Sequence, residues 1–255
     1  MKATVCQLNL DAFEDDWERL VEYVQGVGSQ VVLLPEMPFY RWFARRPKFD
    51  PSIWAAALEA HKIWLGRLAE LAPAVILATR PVERDGLRLN EAFVWEPYDG
   101  CFAAHHKAYL PDEEGFWEAS WYRRGEGDFS AVQVNNLRVG FLVCTEMWFT
   151  QHGRAYGVDG IHLLAVPRAT QRQTFDKWLA GGRATAVVSG AYCLSSCCFE
   201  PGEDPLNLGG GGWVVEPDGR VLGVTSQEQP FLTVDLDLML AEQAKSSYPR
   251  YVKDL

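Results

Sequence analysis

Residues 30–36 read QVVLLPE, an uninterrupted apolar run that ends in a proline and a glutamate. Consecutive branched apolar residues without alternation are typical of a strand that is covered on both faces of its sheet. Before this run, residues 3–10 have the composition of another strand, and apolar residues between 17 and 24 follow the spacing of one helix face. This order predicts layered sheets with helices outside, and it places Glu36 at the end of a buried strand.

Two later segments have the same form, because each is an apolar strand that runs directly into a reactive side chain. Residues 102–107 read FAAHHK, and residues 139–144 read VGFLVC. A side chain at such a strand end is held by the sheet and faces its rim, where binding sites form. Each of Glu36, Lys107 and Cys144 alone also fits a structural role, so the prediction of a site depends on all three together.

The three residue types suit nucleophilic catalysis by a thiol. A free thiol has a pKa of about 8.5, so only about 3% of it is thiolate at neutral pH. A desolvated Glu36 carboxylate can take the thiol proton of Cys144 as attack proceeds. The Lys107 ammonium can stabilise the oxyanion that forms, and loss of one donor of this kind raises a barrier by on the order of 3 kcal/mol.

The composition is that of a globular protein of 255 residues, with 48% apolar and 23% charged residues. The 24 Lys and Arg against 34 Asp and Glu give a formal net charge of −10, which argues against a nucleic-acid partner. No apolar run reaches the ~20 residues that cross a bilayer, and the first residues read straight into a strand without a signal peptide. We therefore expect a cytoplasmic protein with no membrane partner.

The six cysteines are expected to be free thiols in that reducing compartment. Those outside the three strand ends, Cys101 among them, sit in apolar strand-like runs and are predicted to be buried. Adjacent Cys197 and Cys198 would point to opposite faces of one strand, which is poor geometry for a metal. Residues 209–212 are glycine-rich but lack the Lys-Ser/Thr pair of a phosphate loop, and they predict a close backbone approach or a mobile loop. We predict neither a metal nor a cofactor.

Three segments of this sequence resemble the motifs of the nitrilase superfamily of carbon–nitrogen hydrolases. They are LLPE at residues 33–36, HKAYLP at residues 106–111 and VGFLVCTE at residues 139–146. Members share a catalytic glutamate, lysine and cysteine, which the resemblance assigns here to Glu36, Lys107 and Cys144. The resemblance extends over nearly the whole chain, and it implies an α+β fold, a four-layer αββα sandwich formed as a single domain by residues 1–255.

The resemblance also implies further site residues. Residues 118–125 match the segment in which the family carries a second glutamate, so Glu118 would orient Lys107 or the substrate, with an exposed loop glutamate as the alternative. The backbone N–H of Thr145 would complete the oxyanion hole beside Lys107, on a tight turn that carries the nucleophile. Members dimerise through helices near the nucleophile and often through a C-terminal tail. That role is implied here for residues 236–255, which show no core pattern of their own.

Four residues near the motifs are predicted to line a substrate pocket. Arg168 follows a strand in the region that family members use for this purpose, and we hypothesise that it binds a substrate carboxylate, because guanidinium binds carboxylates bidentately. A surface ion pair is the alternative. Tyr40, Trp117 and Trp148 are predicted as apolar pocket walls, although aromatic residues are more often part of a core.

The sequence predicts a hydrolase that cleaves a non-peptide amide bond of a small molecule through a thioester on Cys144, releasing ammonia and a carboxylic acid. An N-carbamoyl substrate is the alternative, while a nitrile is disfavoured because nitrile-cleaving relatives often carry Trp where Thr145 stands. Two rival hypotheses are a mechanism with His152 or His162 beside the cysteine and a non-catalytic binding member. Glu146 stands where family members more commonly carry Asp, so the motif does not identify the subfamily. We expect a homodimer or a higher homo-oligomer.

Overall fold

The computed structural model of the chain describes residues 1–201 and 206–252. Its strands are β1 (Lys2–Asn9), β2 (Val31–Leu33), β3 (Val75–Arg84), β4 (Leu87–Glu96), β5 (Gly100–His106), β6 (Val132–Val134), β7 (Leu137–Phe141), β8 (Leu163–Arg168), β9 (Tyr192–Phe199), β10 (Trp213–Val215), β11 (Val221–Val224) and β12 (Phe231–Asp235). Its α-helices are α1 (Phe13–Val27), α2 (Pro51–Leu65), α3 (Glu118–Trp121), α4 (Thr150–Val158), α5 (Phe175–Ser189) and α6 (Leu238–Ala244). Short 3₁₀ helices lie at Phe43–Arg45, Leu68–Leu71, Cys144–Trp148 and Arg172–Thr174.

The strands form two sheets of similar plan. The first has the order β12-β1-β2-β3-β4-β5, and the second has the order β11-β10-β9-β8-β7-β6. Each contains three parallel neighbours, β1 to β3 in the first sheet and β7 to β9 in the second, and its remaining pairs are antiparallel. The two sheets meet where the last three residues of β1 pair in parallel with the last three residues of β9.

The run that begins at Val31 is buried on both sides, as its composition predicts. Val31 and Leu33 lie in the core between the two sheets, where they share a cluster with apolar residues of β7 and β8. Val32 and Leu34 point the other way and pack in a second cluster with Trp17 of α1. Because successive side chains of a strand face opposite sides, one continuous apolar run supplies two cores.

The second sheet is covered in the same way by α4 and α5. Phe141 and Ala165 face the core between the sheets, whereas Leu164 faces the outer cluster that contains Tyr156 of α4. A Cβ atom added at Gly140 would lie 2.8 Å from the Tyr156 ring, so glycine is required for α4 to approach the strand. The order of layers is therefore helices, sheet, sheet, helices, and the predicted α+β fold, a four-layer αββα sandwich, is confirmed.

The C-terminal segment contributes to the core, although the sequence shows no core pattern there. Residues 236–252 contain helix α6, with Leu236 and Ala241 buried in the core between the sheets. Lys245 and Arg250 donate side-chain hydrogen bonds to the carbonyls of Gly190 and Val187, which lie at the C-terminal end of α5. Cations at a helix C-terminus satisfy carbonyls that have no partner within the helix. The tail is thus packed on its own chain, and residues 253–255 lie outside the described part.

Within the described ranges, no helix combines the length and the apolar character that crossing a bilayer requires. The same ranges contain no group of three or more His, Cys, Asp or Glu side chains that could hold a metal ion. All six cysteines are free thiols. Cys101 is exposed, which corrects the prediction that it is buried, because β5 is the edge strand of the first sheet.

Candidate active site

Cys144 lies on a tight turn directly after β7. The 3₁₀ helix Cys144–Trp148 begins at this residue, whose φ of 51° falls in the left-handed region. A residue other than glycine in this conformation costs on the order of 1–3 kcal/mol and persists only where its surroundings enforce it. Burial raises the pKa of the thiol, and the Ala169 backbone N–H, just past β8, acts in the opposite direction. A backbone group next to the neighbouring parallel strand therefore favours the thiolate.

Lys107 lies between two carboxylates. Its Nζ atom is 2.8 Å from Oε1 of Glu36 and 2.7 Å from both carboxylate oxygens of Glu118. The side chains of Lys107 and Glu36 are fully buried, and that of Glu118 is 1% exposed. A buried ion pair keeps its charges only if hydrogen bonds compensate the lost hydration, and here the three contacts of the ammonium do so.

The same charges act on the thiol. Burial, and after it the Glu36 carboxylate, raises the pKa of Cys144 above its ordinary value, whereas Lys107 lowers it. Burial alone would lower the pKa of Lys107, but Glu118 and Glu36 outweigh it and raise that pKa. Burial, only partly offset by Lys107, raises the pKa of Glu118 to about 8, and Glu36 adds to the rise. The resting thiol is therefore protonated near neutral pH, and its attack on a substrate requires a base.

Asn90 of β4 is a site residue that the sequence analysis missed. Its Nδ2 atom donates to Oε1 of Glu36 at 2.8 Å, and its backbone carbonyl accepts from the Lys107 N–H at 2.9 Å. With Lys107 also donating to Oε1, the other oxygen of Glu36, Oε2, is buried without a partner in the part of the chain that the structure describes. The sequence signal that could have identified Asn90 was a polar residue inside an otherwise apolar strand.

A cavity of about 520 Å³ opens at the nucleophile. Cys144, Thr145 and Glu118 line it, and its aromatic wall includes Trp148 and Trp178. The Thr145 backbone N–H makes no hydrogen bond within residues 1–201 and 206–252, so it is free to donate into the cavity. Thr145 and Trp148 thus both line the cavity, and their roles toward a substrate stay predictions.

The profile of the carbon-nitrogen hydrolase family matches residues 2–246. This chain belongs to the carbon-nitrogen hydrolase family. It is 22% identical over 241 residues to the N-carbamoylputrescine amidase of Oryza sativa subsp. japonica, covering 88% of this chain and 80% of that protein. It is 25% identical over 245 residues to the chloroplastic omega-amidase of Arabidopsis thaliana, covering 91% of this chain and 65% of that protein. The hydrolase is therefore an enzyme of the amidase type.

A solved structure of this family has the same fold. The carbon-nitrogen hydrolase from Helicobacter pylori G27 superimposes with a TM-score of 0.86, over 98% of this chain and 94% of that one, at 20% sequence identity. At this identity the likeness concerns the arrangement of layers, and the roles of individual residues depend on the geometry described above.

Arg168 of this carbon-nitrogen hydrolase does not reach the cavity, which corrects its predicted role. The side chain is fully buried, and its guanidinium donates to the Ser195 hydroxyl at 2.7 Å, the Thr170 hydroxyl at 2.6 Å and the Gly211 carbonyl at 2.5 Å. It also lies over the Trp213 ring, with its Cζ atom 4.0 Å from the centroid. The guanidinium thus binds three oxygen atoms of the protein, whereas the sequence-based hypothesis expected it to bind a substrate carboxylate.

Two predicted pocket walls of the hydrolase also lie elsewhere. Tyr40 packs near Phe43, and Trp117 is held through its backbone N–H, which donates to the Ala44 carbonyl at 2.7 Å. Neither residue lines the cavity. Adjacency in sequence to a motif therefore did not place these two residues in the cavity lining.

The two histidines considered as partners of the cysteine are engaged with other groups. His152 lies 2.8 Å from the Tyr109 hydroxyl and stacks on Phe129, and His162 pairs with Glu242 at 2.9 Å.

The glycine run of the hydrolase makes the predicted close approach, because a Cβ atom at Gly210 would lie 2.5 Å from the Thr170 hydroxyl.

Proposed function

We propose that this hydrolase cleaves a non-peptide amide bond of a small molecule through a thioester on Cys144, releasing ammonia and a carboxylic acid. The observation that carries the proposal is the Lys107 ammonium between Glu36 and Glu118, within electrostatic range of a thiol that lines a cavity. A nucleophile, a base and a cation at one buried point are the parts that acyl transfer requires.

The first step is attack on the amide carbon. Glu36 takes the thiol proton of Cys144 on Oε2, the oxygen without a partner among the described residues, while a carbon–sulfur bond forms. The π electrons of the carbonyl move to its oxygen, which becomes an oxyanion. The free N–H of Thr145 and the charge of Lys107 stabilise that oxyanion, because both are fixed before the reaction begins.

The remaining steps return the enzyme to its starting state. The carbon–nitrogen bond breaks as the nitrogen takes the proton from Glu36, so ammonia leaves and a thioester remains on Cys144. Water then attacks the thioester carbon and gives a proton to Glu36. The carbon–sulfur bond breaks, the sulfur regains that proton, and the carboxylic acid is released. The sum is one amide and one water converted to one acid and one ammonia.

Glu118 acts on the reaction through Lys107. Its two oxygens both lie 2.7 Å from Nζ, so it fixes the ammonium between the base and the cavity. With two carboxylates around one cation, removal of either acid changes the charge balance of the whole group. We therefore assign Glu118 the role of holding Lys107 in position, and its place in the cavity lining also brings it near the substrate.

An N-carbamoyl compound is the second candidate substrate. The relative from Oryza sativa is named for a carbamoyl substrate, whereas the relative from Arabidopsis thaliana is named as an omega-amidase. The same cysteine chemistry would convert a carbamoyl amine and water into the amine, carbon dioxide and ammonia. The two classes share the reacting carbonyl and differ in the group beside it, so the walls of the cavity decide between them.

Ammonia release from purified enzyme tests both candidates. We expect turnover with one class among ω-amides, simple aliphatic amides and carbamoyl compounds, and none with Cys144→Ala. The substitution Cys101→Ser removes the exposed competing thiol. In this background, Cys144 should react with iodoacetamide ahead of the other four cysteines. Ammonia release that survives in Cys144→Ala would overturn the proposed thioester mechanism.

A further inference from the structure

A third buried carboxylate lies beside the site, and unlike Glu36 and Glu118 it has no part in the proposed steps. Glu146, two residues after the nucleophile, has a fully buried side chain. Its Oε2 atom accepts from the Val143 backbone N–H at 2.8 Å, and its Oε1 atom accepts from the Ala108 backbone N–H at 2.7 Å. Both oxygens also lie within 3.0 Å of Nε2 of His105.

The two backbone groups that Glu146 joins are adjacent to the reacting residues. Val143 immediately precedes Cys144, and Ala108 immediately follows Lys107. One carboxylate therefore connects the turn that carries the sulfur to the segment that carries the ammonium. These segments belong to different sheets, because Lys107 follows β5 of the first sheet and the turn follows β7 of the second.

The hydrogen bonds of His105 determine its charge. Its Nδ1 atom lies 2.8 Å from the Asp128 backbone carbonyl, and its Nε2 atom faces the Glu146 carboxylate. A carbonyl oxygen and a carboxylate can only accept, so both ring nitrogens donate and the ring is an imidazolium. Burial would lower the pKa of His105, but the Glu146 carboxylate outweighs it and raises that pKa.

We propose that the Glu146–His105 pair is a positioning device that fixes Cys144 relative to Lys107. This inference rests on the proposed roles of those two residues. Glutamine at position 146 would turn its NH₂ group toward one of three N–H donors, so it cannot replace the carboxylate. The imidazolium balances the buried negative charge, since an unpaired carboxylate would be costly between the two sheets.

Few other ionisable groups face the imidazolium. Phe129 packs on the His105 ring, with the ring centroids 4.7 Å apart, and His152 stacks on Phe129. The Asp128 carboxylate adds a favourable charge effect. Burial, and to a smaller extent the His105 charge, lowers the pKa of His152, whereas Glu146 raises it. Glu146, Asp128 and His152 are therefore the groups whose charge must be followed when pH is varied.

Glu146→Gln tests the proposal, with Glu91→Gln as the matched control. Glu91 is also fully buried and also accepts from a neighbouring histidine, His106, but its other partners are Arg80 and Arg84 and it does not contact the nucleophile turn. Both variants should lower the melting temperature. Only Glu146→Gln should slow iodoacetamide labelling of Cys144 and lower kcat, by about tenfold to 100-fold with KM little changed, because a small displacement of reacting groups has this effect.

A spectroscopic measurement separates positioning from general stability. The ¹⁵N shifts of His105 should show two protonated ring nitrogens near neutral pH, and Glu146→Gln should return the ring to one protonated nitrogen. If Glu146→Gln does not fold, His105→Gln supplies the kinetic arm, since it keeps one donor to Glu146 but removes the charge. Equal losses of labelling in Glu146→Gln and Glu91→Gln, or a neutral His105 in the wild type, would overturn the proposal.

Labelling of Cys144 needs no substrate, so the two proposals can fail separately. A wild-type enzyme that labels rapidly, slows on Glu146→Gln and hydrolyses no amide or carbamoyl compound would support the positioning role and overturn the proposed function. An enzyme that hydrolyses amides equally well with and without Glu146→Gln would support the function and overturn the positioning role.

Discussion

Asn90 donates a hydrogen bond from Nδ2 to Oε1 of Glu36 across 2.8 Å, and this contact leaves the two oxygens of the carboxylate unequal. Oε1 accepts from Asn90 and from Lys107, whereas Oε2 has no partner among the described residues. A base must keep one lone pair free for the proton that it takes. The amide of Asn90 thus selects which oxygen of Glu36 acts in the proposed reaction.

Asn90→Ala should lower kcat by about tenfold, because Glu36 loses the donor that fixes its rotamer and can turn Oε2 toward Lys107. KM should change less, since Asn90 does not line the cavity. Steady-state ammonia release with the best substrate measures both constants. Asn136→Ala, in the exposed β6–β7 turn, is the control, and equal kinetics for the two variants would contradict the role of Asn90.

Lys107→Met should abolish measurable turnover and also destabilise the fold. Two buried carboxylates lose their cation, and breaking a buried ion pair in this way costs about 3–5 kcal/mol. At alkaline pH, where Glu118 would otherwise ionise, adding Glu118→Gln should recover part of the free energy of unfolding without restoring activity, because one uncompensated charge is removed. Urea unfolding measures the free energy. Lys62→Met, whose side chain is 78% exposed and paired with Glu59, should cost less than about 1 kcal/mol.

Arg168→Met should act on stability and not on substrate charge. The guanidinium has three buried oxygen partners, and leaving buried acceptors unsatisfied costs about 1–3 kcal/mol for each group. Arg220→Met is the control, because Arg220 is an exposed partner of Glu216. Thermal unfolding compares the two. An increase in KM confined to acidic amides, with an unchanged melting temperature, would restore the hypothesis that Arg168 binds a substrate carboxylate.

His61 should make the protein sensitive to acid. Burial in the outer helix layer lowers the pKa of His61 to about 3, against an ordinary value of about 6.5. Between these values the unfolded chain binds a proton that the folded chain does not, so the free energy of unfolding falls as the pH falls from about 6.5 toward 3. His61→Leu should remove a slope of about 1.4 kcal/mol per pH unit in that window. Parallel curves for the variant and the wild type would show that His61 makes no such contribution.

The C-terminal tail is predicted to mediate self-association. Although α6 packs on its own chain, Tyr248 and Tyr251 after it remain 75% and 62% exposed, and Val158 at the end of α4 is 75% exposed. Exposed apolar residues on neighbouring segments are typical of a protein interface. Sedimentation should show a homodimer for the wild type and a monomer for the double variant Tyr248→Ser with Tyr251→Ser. A monomeric wild-type protein would contradict this prediction, and a cytoplasmic location stays a separate prediction.

The sequence predicted the parts of this protein that depend on local pattern. The apolar runs before Glu36 and Cys144 form strands that are buried on both faces, because such runs have no solvent-facing alternation and need a cover on each side. The run before Lys107 forms the edge strand β5 instead, in which Cys101 and Ala103 are exposed. The layer order follows from those runs and from the amphipathic helix of residues 13–27. The three reactive side chains share one site because each stands at the end of its strand.

Tertiary structure alone decided which side chains complete the site. Asn90 meets Glu36 across 54 residues of sequence, and Glu146 meets His105 across 41, so both contacts depend on strand register and on the way the two sheets meet. Arg168 turned inward for the same reason, since its orientation is set by Ser195 on the adjacent strand. Local pattern fixes where a strand runs and where it ends. The partners of a polar side chain are fixed by packing, because a buried donor or acceptor must find whatever the fold brings next to it.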